Sequence, residues 1–166
     1  YQLDNSTAAL VNTALLAGLG LGSPSFSFLC NYLKSYKLSA LISAVGSFVF
    51  FSLLFYVPGL PLWMAVFCLF AAGFFLSGQF LAFAMTCALN PLSASGTAGG
   101  FQNMICMLSG VIFMPLIGKL LDATWQGHLE NGMRVFSVGQ YTFALSSITL
   151  VLFLACCIVF FIKETY

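Results

Sequence analysis

The chain has 166 residues, is 61% hydrophobic and 16% aromatic, and carries charge on only 5% of its side chains. An ordinary soluble domain carries about 25% charged residues, and a formal net charge of +1 leaves no basic surface for nucleic acid and no acidic one for a cationic partner. Residues 38–118, 5–33 and 135–162 contain no formally charged side chain, and a core able to bury such runs needs a far longer chain. The composition excludes a water-soluble globule and predicts an integral membrane protein.

Five apolar segments follow in chain order, at roughly 6–32, 38–57, 62–89, 97–121 and 140–162. Each has about 20 or more residues, enough to cross a hydrocarbon core of ~30 Å at ~1.5 Å per residue. Backbone groups find no water in lipid, and the segments lack the alternating polarity of a barrel, so the expectation is an all-α, polytopic bundle of five spans. The connections carry turn chemistry: Lys34-Ser35-Tyr36-Lys37, Val57-Pro58-Gly59-Leu60-Pro61 and Asn90-Pro91-Leu92-Ser93. The longest, about 122–139, holds Asp122, His128, Glu130 and Arg134.

Orientation is read from Lys and Arg. With the C-terminus cytoplasmic, Lys34, Lys37 and Lys163 lie inside, and Arg134 lies outside with Lys119 near the outer end of its helix. Residue 1 is Tyr, and five spans beginning outside without a leader predict a further helix upstream.

The six cysteines form no CxxC pair and read as small packing residues; the single histidine, His128, excludes bis-histidine haem ligation within the chain. No acid/base pair, metal cluster or nucleophile–His arrangement lies within a span, so no enzyme activity, cofactor or metal is expected. Small residues recur at helical spacing: Ala14, Gly18 and Gly22; Ser39, Ser43 and Ser47; Gly96 and Gly100. Such faces let membrane helices approach closely, either as static packing or as surfaces that slide. Pro24 and Pro115 each remove a backbone hydrogen bond inside a span and invite a kink.

Polar groups deep in lipid cost on the order of 2–7 kcal/mol each when unpaired, so those inside spans need a reason. Gln79 is the deepest, about 6 Å past the middle of the 62–89 segment, on a helical stripe with Cys68, Ala72, Phe75, Ala82 and Thr86. Asn103 shares a stripe with Gly99, Cys106 and Gly110, with Gln102 beside it, and Asn12 and Thr13 sit in the first span. Interhelical hydrogen bonding stands beside cargo contact as the role of each. Lys119 and Asp122 are spaced to pair on a helix, or both snorkel to the interface, which is the preferred reading. Trp63 reads as an interface anchor; Phe67, Phe70, Phe74 and Phe75 read as packing or lipid-facing side chains, and after that as a stacking wall.

Two stretches carry a family resemblance. Gly22-Ser23-Pro24-Ser25-Phe26-Ser27-Phe28-Leu29-Cys30-Asn31-Tyr32-Leu33-Lys34-Ser35-Tyr36-Lys37 resembles the G-x-x-x-D-R-x-G-R-R/K loop of the major facilitator superfamily in its second copy. Ser27 stands at the usual Gly, Asn31 at the Asp and Tyr32 at the Arg, while Lys34 and Lys37 supply the basic end. The acidic residue on which the charge relay credited to that loop depends is absent here. The run from Ser95 to Met104, with its GTA-x-G-F-x-N opening, and Pro115 to Asp122, with its P-L-I-G-x-L-L-D close, looks like the family's eleventh helix. Phe161-Ile162-Lys163-Glu164-Thr165 resembles the exit from its twelfth.

The resemblance implies helices eight to twelve of a secondary transporter of the major facilitator type, the C-terminal portion of a longer protein. It implies alternating access about a midplane site, for a small polar organic solute such as an amino acid, in a bacterial inner membrane. On it, Gln79, Asn103, Gln102 and Asn12 are candidate substrate contacts, and Gly22, Pro24, Asn31, Lys34 and Lys37 belong to the gating loop. The missing N-terminal half, the solute and the bilayer are the implied partners, with no nucleic acid. The eleventh-helix wording, the Trp125…Gly127…Gly132 loop and the Ile162–Tyr166 end also look like a subgroup from intracellular gammaproteobacteria that includes phagosomal amino-acid transporters. A non-transporting membrane subunit, packing through its small-residue faces, is the alternative.

Overall fold

A computed structural model describes residues 4–127, 129–130 and 133–162. His128, Gly132 and the Lys163–Thr165 exit lie outside the described residues. Five helices are long and apolar enough to cross a membrane: Ser6–Leu33, Tyr36–Tyr56, Leu62–Leu89, Ser95–Thr124 and Val138–Val159. The protein is an all-α, multi-pass helical bundle.

Helix α1 (Asn5–Leu33) runs through Pro24 without interruption and ends at Lys34, which takes the left-handed conformation at φ 48°. Ser35 then starts α2 (Tyr36–Tyr56), its hydroxyl accepting the Leu38 N–H at 3.0 Å. Most of the stretch that resembles the gating loop is therefore helix. Gly22, Pro24 and Asn31 sit in the body and last turn of α1, and only Lys34 and Ser35 form the turn. The sequence after Pro24 holds no further breaker before Lys34, so nothing stops the helix earlier.

The third span is not one helix. It comprises α3 (Leu62–Leu76), a 3₁₀ turn over Ser77–Phe80 and α4 (Leu81–Leu89). A 3₁₀ turn advances about 120° per residue against 100° in an α-helix, so α4 is rotated on the order of 80° from the expected continuation. This breaks the predicted stripe: Cys68 and Ala72 are buried, whereas Gln79 is exposed.

Helix α5 (Ser95–Thr124) passes through Pro115 intact and has no buried residue. A short antiparallel hairpin follows, β1 (Leu129–Glu130) with β2 (Met133–Arg134), and then α6 (Val138–Val159). The start of α6 carries a capping box, Ser137 with Gln140, and the Gln140 amide also donates to the Thr124 carbonyl at the end of α5. One side chain thus ties the two helices across the loop.

The core lies where α1, α2 and α3 meet. Phe26 is 2% exposed and rests on Phe74 and Phe75, with ring centroids 5.8 and 6.1 Å away; Phe50 stacks on Phe75 from α2. Phe74 and Phe75 are packing side chains, while Phe67 and Trp63 are exposed. Helix α6 closes on α2, and α5 packs mainly on α4 and α6 among the described residues. None of the six cysteines forms a disulfide among the described residues.

Candidate functional site

The interrupted third span sets the geometry of the membrane interior. Passing from α to 3₁₀ pairing releases carbonyls from their usual partners, and in lipid each must find another. The Phe75 carbonyl accepts the Ser43 hydroxyl of α2 at 2.7 Å, and the Phe74 carbonyl accepts the Ser77 hydroxyl at 2.6 Å. Gly78 makes the first contact possible, since a Cβ there would overlap the Ser43 side chain. Ser39 and Ser47 bond carbonyls of their own helix, so the serine stripe of α2 is a buried, satisfied packing face.

Just beyond this contact, Gln79 lines a cavity of about 270 Å³ between α2, α4 and α6, whose other walls include Ser43, Ser47, Met85, Leu152 and Val159. Its amide has no hydrogen-bond partner among the described residues. Gln102 points elsewhere: its amide oxygen accepts the Thr86 hydroxyl at 3.2 Å, a polar link between α4 and α5. Asn103 is exposed on α5, and Asn12 is exposed on α1. Thr13 bonds back to the Leu10 carbonyl at 2.6 Å. The four candidate contacts therefore do not converge within this chain; each has a different setting.

What does emerge is a difference between glycines. A Cβ on Gly18 would overlap the Phe70 carbonyl, one on Gly22 the Phe74 carbonyl, and one on Gly73 the Leu15 carbonyl. These glycines let α1 and α3 touch backbone to backbone, and Gly22 is a packing residue there. On α5, Gly96, Gly99, Gly100, Gly110 and Gly118 have nothing within 4 Å of an added Cβ. Gly96, Gly100, Asn103, Met107, Gly110, Met114 and Gly118 form one exposed stripe at three- and four-residue spacing. A second exposed stripe of small or polar residues runs along α1 through Thr13, Ala17, Gly20, Pro24, Ser27 and Asn31. Neither resembles the Leu, Ile, Val and Phe face that these helices show elsewhere.

The basic residues of the gating-loop resemblance act locally. The Lys37 ammonium donates to the Phe160 carbonyl at 2.7 Å, placing a cation at the C-terminal end of α6 and joining it to the start of α2. Lys34 is exposed. At the opposite end, Asp122 pairs with Arg134 rather than Lys119, and the Arg134 guanidinium stands 4.7 Å from the Trp125 ring centroid. The chain reversal at the hairpin brings Arg134 closer than a helical neighbour. Two hydroxyls, Ser52 on α2 and Thr149 on α6, are buried without a hydrogen-bond partner among the described residues.

Sequence reasoning missed Ser43 as a carbonyl partner and Gln140 as a clamp. The first had no signal beyond a small residue at packing spacing; the second was marked by the S-x-x-Q pattern of Ser137 to Gln140. Comparison with protein-family models, curated proteins and solved structures finds no match to the chain.

Proposed function

We propose that the chain is the C-terminal portion of a secondary transporter of the major facilitator type, moving a small polar solute such as an amino acid by alternating access. The observation that carries this reading is the pair of unpartnered stripes on α1 and α5. Membrane helices pack through small residues, and an amide such as Asn103 left facing lipid is costly. A second helical half, with a cargo path between the halves, supplies what both stripes lack. Asn103, at the centre of the α5 stripe, is then the amide placed to meet cargo. Gln79 faces the α2–α6 cavity, and Gln102 is engaged with Thr86.

The interrupted third span supports the same reading, since helices broken inside the membrane recur in transporters. The bias of Lys34, Lys37 and Lys163 to one side supports a cytoplasmic C-terminus, and the bacterial inner membrane is the address that the family resemblance implies. The α5 glycine stripe also favours a second reading, a non-transporting subunit that uses it to hold a partner helix.

The test is uptake of radiolabelled neutral amino acids by liposomes containing the complete protein. Uptake with a KM raised about tenfold by Asn103→Ala supports transport with Asn103 in the path. No solute accumulation above protein-free liposomes contradicts it and favours the scaffold.

A further inference from the structure

Two cavities outside the site described above share walls. The larger, about 850 Å³, lies at the membrane end of the bundle, between the Tyr56–Leu60 turn and the start of α6. The second, about 520 Å³, lies between α2, α5 and α6. Tyr56, Phe143 and Ser146 line both, so the two form one continuous groove along the α2–α6 contact.

The groove changes character with depth. Its upper chamber sits at helix ends and carries the exposed side chains of Tyr56 and Tyr141 with the hydroxyl of Thr142, the amphipathic lining of a membrane interface. Its lower slot is walled by Phe48, Leu120, Leu150 and Phe153. From Tyr56 down to Phe48 the slot descends about 12 Å along α2, close to the ~15 Å of one leaflet's hydrocarbon. Among the described residues neither chamber is lined by a charged side chain, and Arg134, the nearest cation in sequence to the start of α6, is held by Asp122.

We propose that this groove seats one phospholipid of the adjacent leaflet, with glycerol and head group in the tyrosine-lined chamber and one acyl chain in the slot. The depth matches a single chain entering from the interface, and the uncharged lining gives no preference for an anionic head group. The occupant braces α6 against α2 beside Thr149, a wall of the slot whose buried hydroxyl has no hydrogen-bond partner among the described residues. The site holds independently of what the protein transports.

The probe is phosphatidylcholine, counted on the purified full chain by native mass spectrometry after delipidation and titration. A first lipid is expected to bind at least tenfold more tightly than later ones. Ser146→Phe, which fills the junction of the two chambers, should remove that first step, while Val111→Phe on the exposed face of α5 leaves it. Phosphatidylglycerol should bind within about twofold of phosphatidylcholine. Lipids adding without a distinct first step, or a first step unchanged by Ser146→Phe, would overturn the proposal. A second readout avoids any filling variant. Phe153→Trp, quenched by dibrominated phosphatidylcholine, should stay quenched after dilution into unbrominated vesicles, whereas Val111→Trp recovers at once. Equal recovery at the two positions overturns the site.

Discussion

Helices α1 and α5 carry the same written pattern, small residues four apart, and use it in opposite ways. Along α1 and α3, Gly18, Gly22 and Gly73 are each closed against a backbone carbonyl of the other helix. Along α5, five glycines face open space. Small-residue spacing therefore reports that close approach is possible, not that a partner is present within the chain. Which glycines are filled depends on the helix that arrives, and for α5 none of the described elements does so on its stripe.

The largest expected effect comes from forcing the closed region apart. Gly18→Leu should cost more than about 3 kcal/mol, the top of the overpacking range, because backbone cannot move aside as a side chain does. Thermal unfolding in detergent reads this as a collapse of the transition or failure to recover folded protein. Ser43→Ala comes next, at about 1 kcal/mol, because it removes the hydroxyl bond from α2 to the Phe75 carbonyl. Gln140→Ala removes a cap and the clamp to Thr124, and should cost about 1 kcal/mol by the same measurement.

Two substitutions should run the other way. Gly110→Ala, in the open stripe, meets nothing and should raise helix stability by about 0.5–1 kcal/mol, where the same change at Gly18 is destabilising. Thr149→Val replaces an unpaired buried hydroxyl with a methyl of similar shape, and should be neutral or stabilising by up to about 1 kcal/mol. A loss of stability at Gly110→Ala would show that the α5 glycines are packed after all.

The span count and connections were legible because charge-free runs and Pro/Gly turns leave few alternatives in lipid. Helix ends fell within about three residues of expectation, the usual uncertainty of fraying termini. The interruption at Ser77–Phe80 was not legible. No proline or charge marks it, and one of the hydrogen bonds at its start comes from Ser43, on another helix and 32 residues away in sequence. Once the turn rotates α4, the Gln79 stripe drawn on an unbroken helix no longer exists, so its burial could not be read either. The Asp122–Arg134 pair was hidden for a similar reason: it depends on a hairpin that folds the loop back on α5.

The most direct test of the account is the surroundings of the α5 stripe in the complete protein. Met107 lies on the stripe and Leu108, one residue on, lies about 100° around the helix. In a variant without native cysteines, Met107→Cys and Leu108→Cys can each be exposed to a water-soluble maleimide in intact membranes. The account predicts rapid labelling at 107 and none at 108, with labelling at 107 slowed by saturating cargo. Equal inertness at both positions would mean that the stripe faces lipid or packed helix rather than a water-filled path, and would contradict it.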